Sequence, residues 1–291
     1  MSRNALRTST STTATGALRR PGARLGVVAV VAAALSLSAC GGGASGSDDA
    51  DAPLRVGASP VPHAEILRYV ADELAPEADL DLEIVEFTDY IQPNVALQDG
   101  SLDANYFQTV PYLEQQKADA GYDFTALDPV HVEPLGLYSQ DVASVAELPD
   151  GATLAIPNDP TNAARALRLL EAEGLLTLGD TGSSAPTSLD VEDNPKNLDI
   201  VEVEAAQLPR SLQDVDAAVI NGNYAIEAGL SPADDAIALE DGEDNPNANL
   251  VVVRAGDEDD PRIQQLEQLL HSDEVRRFIE ENYDGAVIPA F

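Results

Sequence analysis

The chain has 291 residues, with 51 acidic and 16 basic side chains, and its formal net charge at pH 7 is −35. Nucleic acid is a poor partner for such a chain, because phosphate binding needs clustered lysines and arginines. A single cysteine excludes an intramolecular disulfide.

The N-terminus predicts export. Residues 1–24 carry five arginines and no acidic residue, and residues 25–37 are almost wholly apolar. A basic region, a short apolar stretch and small residues before a cleavage site form a secretory signal, here residues 1–39. The apolar stretch is about 13 residues long, whereas a membrane-spanning helix needs roughly 20. An Arg-Arg pair at residues 19–20 could indicate twin-arginine export, but the residues after it favour the general secretory route.

Residues 37–40 read Leu-Ser-Ala-Cys, which resembles a bacterial lipobox. The resemblance implies that Cys40 carries a diacylglyceryl group and becomes the first residue of the mature chain. Two acyl chains are enough for stable anchoring. The alternative is a lone cysteine that happens to lie near a signal peptide.

Residues 40–53 are small, polar and acidic, and such a segment buries too little apolar area to fold. We interpret it as a flexible tether that holds a folded part away from the membrane. The folded part begins near Leu54 and is long enough for one large domain or two medium lobes. Salt adaptation or lineage-wide bias explains its acidity better than ligand choice does.

The first half of the folded part alternates strand and helix patterns. We predict, in order, a strand at 54–58, a helix at 63–74, a strand at 80–87, a short helix at 89–97, a strand at 102–107 and a helix at 110–120. Strands that alternate with helices predict parallel α/β sheets.

The second half repeats this alternation. We predict a strand at 153–156, a helix opening at 158–160 and ending near 173, and a turn-rich surface excursion at 180–197. There follow a strand at 199–203, a short helix at 208–212, a strand at 216–220, a short helix at 224–228, a strand at 249–253 and one long amphipathic helix at 261–282.

Six stretches resemble the methionine-binding lipoprotein family (NlpA/MetQ type): PHAEIL at 62–67, DANYFQ at 103–108, PLGLYS at 134–139, IPNDPTN at 156–162, LPRSL at 208–212 and VINGNYA at 219–225. The resemblance implies an α/β fold of two Rossmann-like lobes with a ligand cleft between them. Lobe 1 would hold residues 54–132 and 249–291, and lobe 2 residues 133–248. The crossing segments would lie near 132–135 and 241–249, and the C-terminal helix would return to lobe 1.

The same resemblance implies a function and partners. The chain would be the solute-binding protein of an ABC importer, anchored by its lipid on the extracytoplasmic side of the cell membrane. It would capture methionine, as the L-isomer, the D-isomer or both, and deliver it to permease and ATPase subunits. It implies no cofactor and no enzymatic activity. A different small amino acid or a dipeptide is the alternative ligand.

A free amino acid needs a charged donor for its carboxylate, and the forked guanidinium of arginine suits this role. Arg165 shares one face of the predicted helix with Asn158 and Asn162. We therefore predict these three as ligand contacts, with Arg165 on the carboxylate. The alternative is a surface arginine paired with Glu171 or another acid.

The resemblance assigns further ligand contacts. Tyr90 and Phe107 would form an aromatic slot for the thioether, since sulfur packs well against rings, although both could be ordinary core rings. Thr109 stands where the family usually has histidine, and this departure puts the identity of the ligand in question. Asn221 follows a strand and would hold the ammonium or carboxylate, unless it only caps the next turn. Asn249 is the weakest of these candidates.

Two other classes of function have less support in the sequence. A secreted enzyme would need a nucleophile with a base, and the sequence has neither Gly-x-Ser-x-Gly nor His-Glu-x-x-His. A metal-binding lipoprotein would need paired ligands, whereas His63, His131 and His271 are widely spaced along the chain. We therefore predict no metal site and place each histidine in the core or on the surface.

Overall fold

The structure is a computed structural model that describes residues 52–182, 184–242 and 245–291. The predicted signal peptide, Cys40 and all but the last two residues of the predicted tether lie outside these ranges. Within them, no helix is both long and apolar enough to cross a membrane.

The elements up to the first crossing between sheets, β4 excepted, begin close to where the sequence predicts them. They are β1 (Leu54–Ala58), α1 (Glu65–Tyr69), β2 (Leu82–Glu86), α2 (Gln92–Gln98), β3 (Ala104–Thr109), α3 (Val110–Ala120) and β4 (Phe124–Val132). Wider helical turns flank α1 at Pro60–Ala64 and Val70–Leu74. The sequence reading missed β4.

The elements after it include several short strands that the sequence reading also missed. They are β5 (Gly136–Tyr138), β6 (Thr153–Pro157), α4 (Pro160–Ala172), β7 (Thr177–Leu178), β8 (Val191–Asp193), β9 (Asp199–Val203), α5 (Leu208–Ser211), β10 (Ala217–Ile220), α6 (Gly222–Glu227), α7 (Pro232–Asp235), β11 (Ala236–Leu239), β12 (Ala248–Arg254), α8 (Pro261–Leu270), α9 (Asp273–Asn282) and β13 (Ile288–Pro289).

The strands form two large sheets. The first has the order β13-β4-β12-β3-β1-β2, and the second has the order β11-β5-β10-β6-β9. In the first, β1 runs parallel to β2 and β3, but β12 runs antiparallel to β3 and β4. In the second, β6 runs parallel to β9 and β10, but β5 runs antiparallel to β10 and β11. The α/β class is confirmed. The prediction of parallel sheets is wrong in part, because β12 and β5, the strands that enter from the other sheet, run antiparallel to their neighbours.

Each sheet has its own buried apolar core. Leu54, Val56 and Val251 belong to a core of the first sheet, and Leu154, Leu167 and Val219 belong to a core of the second. The chain passes from β4 to β5 through residues 133–135 and returns from β11 to β12 through residues 240–247. The exact residue boundaries of the predicted lobes stay a prediction.

The prediction of one long C-terminal helix is wrong, because the structure has two helices there, α8 and α9. It breaks at Ser272, whose backbone is extended and whose hydroxyl accepts a hydrogen bond from the Val275 N–H at 3.3 Å, as an N-cap does. Ile263 on α8 and Ile279 on α9 both pack into the core of the first sheet. The chain therefore ends on that sheet.

Candidate functional site

A cavity lies where elements of the two sheets meet. Its walls combine aromatic, amide and charged side chains. The lining residues are Tyr90, Phe107, Gln108, Thr109, Tyr112, Glu133, Asn162, Arg165, Asn221, Gly222, Asn223 and Asn249.

Many of these residues sit at the carboxyl ends of strands, where ligands bind in open α/β sheets. Thr109 closes β3, Asn221 follows β10 directly, and Asn162 opens the helix that follows β6. Thr109 is also the N-cap of α3, since its hydroxyl accepts from the Tyr112 N–H at 3.4 Å. The strand ends thus aim polar groups from both sheets into one space.

Arg165 is buried, and its guanidinium is tied to both segments that join the sheets. Its Nε lies 3.0 Å from each carboxylate oxygen of Glu240, and one terminal nitrogen, Nη2, also donates to Glu240. Nη2 donates to the Glu133 carbonyl oxygen at 2.8 Å as well. The alternative partner Glu171 accepts from the Leu178 N–H instead. Within the described chain the other terminal nitrogen, Nη1, makes no hydrogen bond, which leaves it for another group.

A chain of amides and one carboxylate links the second sheet's strand ends. Asp159 caps α4 by accepting from the Asn162 N–H at 2.9 Å, and it also accepts from the Asn162 side-chain amide. The Asn162 oxygen accepts from Asn221 Nδ2 at 2.9 Å. Asn221 Oδ1 is buried and has no hydrogen-bond partner among the described residues. The cavity wall therefore holds an acceptor oxygen with no protein donor.

Two hydrogen bonds hold the cleft closed across the sheets. Tyr90 follows β2 of the first sheet, and its hydroxyl donates to Asn223 Oδ1 at 2.5 Å. Tyr224 lies on α6 of the second sheet's core, and its hydroxyl donates to the Thr88 carbonyl oxygen at 3.2 Å. The Asn223 amide nitrogen is buried and has no partner within the described residues.

Three rings form an aromatic corner of the cavity. The ring centroids of Tyr90, Phe107 and Tyr112 are separated by 5.9 to 6.1 Å in each pairing. The Tyr112 hydroxyl donates to the Tyr90 carbonyl oxygen at 3.0 Å, which fixes the corner. Burial raises the pKa of the Tyr90 hydroxyl well above its usual value, so it remains a donor. This corner offers an apolar, polarisable surface.

Glu133 places a carboxylate in the cavity wall. Its Oε1 lies 2.8 Å from His131 Nε2 and 3.3 Å from His63 Nε2, and all three side chains are buried. Burial raises the pKa of Glu133 and lowers the pKa of His63 to about 4 and that of His131 to about 3. A Cβ added at Gly222 would lie 2.7 Å from the Glu133 Cβ, so only glycine fits beside it.

Two of the histidines that are far apart in sequence lie together in the structure. His63, His131 and Glu133 each offer a ligand atom, and these atoms lie within 4.8 Å of one another. The 2.8 Å separation of His131 Nε2 and Glu133 Oε1 is a hydrogen-bond distance. Two ligands on one tetrahedral zinc ion, each at about 2.0–2.1 Å, would lie about 3.3 Å apart. The geometry therefore favours a proton between them, and we describe a hydrogen-bonded cluster.

Seven of the eight predicted ligand contacts line the cavity, and one does not. Asn158 is exposed in the turn before α4 and is absent from the cavity wall. The sequence reading missed five lining residues: Gln108, Tyr112, Glu133, Gly222 and Asn223. A signal for Glu133 was present, because it lies in the predicted first crossing segment. The ligand roles of all these residues stay a proposal.

A family model for NlpA lipoproteins matches residues 54–291, which is the whole folded part of the chain. The chain belongs to the NlpA lipoprotein family. Members of this family are substrate-binding proteins. The chain is 46% identical over 227 residues to the D-methionine-binding lipoprotein MetQ of Salmonella typhi. The matched region covers 77% of this chain and 82% of that protein.

Solved structures of similar proteins share the fold. A nutrient-binding protein from Burkholderia cenocepacia bound to methionine has a TM-score of 0.79 and 44% identity, over 82% of this chain and all of that one. An ABC transporter periplasmic substrate-binding protein from Coxiella burnetii has a TM-score of 0.78 and 43% identity, over 81% of this chain and all of that one. The predicted two-lobed binding-protein fold is thus confirmed, and it is the fold of the NlpA family.

Proposed function

We propose that this NlpA-family chain is the solute-binding protein of an ABC importer and that it captures methionine between its two sheets. The observation that carries the proposal is the cavity wall, which has a suitable group for each part of a methionine molecule. It offers donors and an arginine for a carboxylate, acceptors for an ammonium group, and an aromatic corner for a thioether.

The carboxylate of the ligand would meet Arg165 and the amide donors near it. Nη1 of Arg165 and Nδ2 of Asn223 have no protein partner among the described residues. Charge-assisted hydrogen bonds from a guanidinium to a carboxylate are among the strongest in proteins. A ligand carboxylate would therefore satisfy donors that the folded chain leaves unpaired.

The ammonium group would meet Asn221 and Glu133. Asn221 Oδ1 is buried with no donor in the described chain, and an unsatisfied buried group costs about 1–3 kcal/mol until it is paired. Glu133 supplies a negative charge in the same wall. A ligand that lacks the ammonium group would leave Asn221 Oδ1 unpaired and Glu133 without a cation in the cavity, which provides selectivity for amino acids.

The side chain would lie against Tyr90, Phe107 and Tyr112. Sulfur contacts with ring edges contribute about 0.3–1.5 kcal/mol each. Thr109 lines the cavity, but its hydroxyl already caps α3. A different small amino acid or a dipeptide remains the alternative ligand, and Thr109 is the residue that distinguishes the two cases.

Isothermal titration calorimetry of a soluble form, residues 41–291, tests the proposal. Bound ligand is first removed by unfolding and refolding, and L-methionine, D-methionine and the other amino acids are then titrated in turn. Saturable one-to-one binding of methionine supports the proposal. Binding of another amino acid only, with methionine binding gained by Thr109→His, would replace methionine as the ligand and keep the importer role. A flat response to the whole panel would contradict both.

We also propose that Cys40 carries the lipid anchor, which the similar lipoproteins and the Leu-Ser-Ala-Cys motif support. We expect the full chain, expressed in bacteria with a labelled fatty acid, to take up the label and to sediment with membranes. Cys40→Ser should lose both properties, because the thiol is the attachment point. Label that remains on the Cys40→Ser chain would place the anchor elsewhere.

Tyr224→Phe should speed methionine dissociation about 5-fold with little change in the association rate. The variant removes only the hydrogen bond that Tyr224 makes to the Thr88 carbonyl across the cleft, and one such bond contributes about 1 kcal/mol. Stopped-flow competition measures the rate. Tyr138→Phe is the matched control, because the Tyr138 hydroxyl is buried in the second sheet without a partner in the described chain. Equal rates for Tyr224→Phe and wild type would contradict a role for this bond in closure.

A further inference from the structure

His63 lies behind the cavity wall and contacts two residues that form it. Its Nε2 is 3.1 Å from Asn249 Oδ1 and 3.3 Å from Glu133 Oε1, while the side chain itself is only 1% exposed. His131 supports the same carboxylate from the other side, at 2.8 Å, and its Nδ1 bonds the Tyr106 hydroxyl. These five side chains form one buried hydrogen-bonded cluster.

The partners of each ring decide where its proton lies. Both neighbours of His63 Nε2 are oxygen acceptors, so Nε2 carries the hydrogen and donates. His63 Nδ1 is buried and has no partner among the described residues. His131 likewise donates from Nε2 to Glu133, and its Nδ1 accepts from the Tyr106 hydroxyl.

The His63 hydrogen bond fixes the orientation of the Asn249 amide. Because Oδ1 accepts from His63, Nδ2 is the atom left for the cavity that Asn249 lines. Within the described chain Nδ2 makes no hydrogen bond. An amide turned the other way would present an oxygen to a ligand carboxylate, and it would set its NH2 group against the His63 N–H donor.

The two histidines also fix the Glu133 carboxylate. Oε1 accepts the His131 N–H at 2.8 Å and lies 3.3 Å from His63 Nε2, so both rings lie against the same carboxylate oxygen. The other oxygen, Oε2, lies 3.1 Å from where a Cβ at the cavity-lining Gly222 would stand. The Asn249 amide and the Glu133 carboxylate, which both line the cavity, thus share the His63 imidazole as a neighbour, at 3.1 and 3.3 Å from its Nε2.

We propose that His63 is a positioning residue for ligand binding: through Nε2–H it turns the Asn249 amide so that it donates to the ligand carboxylate, and it holds the Glu133 carboxylate toward the ligand ammonium. This inference rests on the proposed function. It means that the His63 ring increases the affinity for the ligand without contacting the ligand. His63→Gln keeps a donor close to the Nε2 position, whereas His63→Asn ends short of it and His63→Phe has none.

A double-mutant cycle on the soluble form tests the proposal. We expect His63→Phe and His63→Asn to weaken methionine binding at least about 10-fold, and His63→Gln to stay within about 3-fold of wild type. Asn249→Ala should also weaken binding about 10-fold. The double variant, His63→Phe with Asn249→Ala, should bind methionine at least about 5-fold more tightly than two independent losses of affinity would predict. The reason is that His63 acts partly through Asn249. Melting temperatures verify that each variant folds.

Two results would overturn the inference while the proposed function stands: equal losses in the Gln and Phe variants, or single effects that multiply in the double variant. His271→Gln is the control, because the His271 ring nitrogens contact the Glu267 and Pro129 carbonyl oxygens, away from the cavity. If wild type binds no amino acid, the proposed function fails. The tautomer is then still decided by ¹⁵N NMR of the histidine rings, where a proton on His63 Nδ1 would overturn the inference.

Discussion

Arg165→Ala should weaken methionine binding by at least about 100-fold. The change removes the charged donor for the ligand carboxylate, and truncating one partner of a buried charge pair costs about 2–5 kcal/mol. It also leaves the half-buried Glu240 carboxylate and the Glu133 carbonyl oxygen without their donor. The Glu240 carboxylate would then add a negative charge near the ligand carboxylate. Calorimetry on the soluble form, freed of bound ligand, measures the loss.

Arg168→Ala is the matched control for that experiment. Arg168 lies on the same helix about one turn later but is exposed, so its removal should leave the affinity unchanged. Arg165→Lys should give an intermediate loss of about 10-fold, because an ammonium keeps the charge but cannot hold Glu240 and Glu133 and also reach the ligand. An Arg165→Ala affinity within about 3-fold of wild type would mean that the guanidinium serves only to join the two crossing segments.

Local rules predicted where Arg165 lies but not what holds it. Helical spacing from the Pro160 start places Arg165 on the same face as Asn162, and both line the cavity. Its partner Glu240 is 75 residues away and comes beside it only through the second crossing segment. The sequence offered Glu171 as an alternative partner because only near neighbours can be paired by spacing. Tertiary partners at such separation leave no periodic signal.

The buried cluster was missed for a related reason. Metal and catalytic motifs are recognised when their ligands are close in sequence, whereas this cluster is assembled by strand order. β12 lies between β3 and β4, and Asn249 is in register with both Thr109 and His131. The sequence predicted β12 as a strand but gave no register. Once that strand is inserted, Asn249, His131 and the neighbouring Glu133 meet below the cavity.

Residues at strand ends were the easiest to predict. Asn221 and Thr109 each follow or close a short buried strand, and the carboxyl ends of the parallel strands in an open sheet meet at one edge. Asn158 obeys the same rule and still lies outside the cavity, because its side chain precedes the α4 N-cap and is exposed. Position at a strand end therefore selects candidates, and the direction of each side chain decides among them.

The buried histidines should make stability fall as the pH is lowered. Burial holds the pKa of His63 at about 4 and that of His131 at about 3, against an ordinary value of 6.5. Below pH 6.5 the unfolded chain takes up a proton on each ring and the folded chain does not. The free energy of unfolding then drops by about 1.4 kcal/mol per pH unit for each ring, until the folded-state pKa is reached.

Other groups facing His63 modify this slope in the wild-type protein. They are Glu133 from the crossing segment, His131 from β4, Tyr106 from β3 and Asn249 from β12. The raised pKa of Glu133 acts in the opposite direction, because the folded chain then binds its proton more readily than the unfolded chain as the pH falls. Repulsion among the many surface carboxylates also weakens at low pH. Only a comparison with a matched variant isolates the contribution of His63.

His63→Gln removes one titrating ring and keeps the hydrogen-bond donor, so it supplies that comparison. Urea unfolding of both proteins between pH 6.5 and 4.5, without ligand, should give a wild-type curve steeper by about 1.4 kcal/mol per pH unit, a difference that reaches about 3 kcal/mol near pH 4. His131→Gln should flatten the curve in the same way and over a range that extends to about pH 3. Parallel curves for wild type and His63→Gln would mean that the folded chain takes up the proton as readily as the unfolded one. His63 would then be charged at mildly acidic pH.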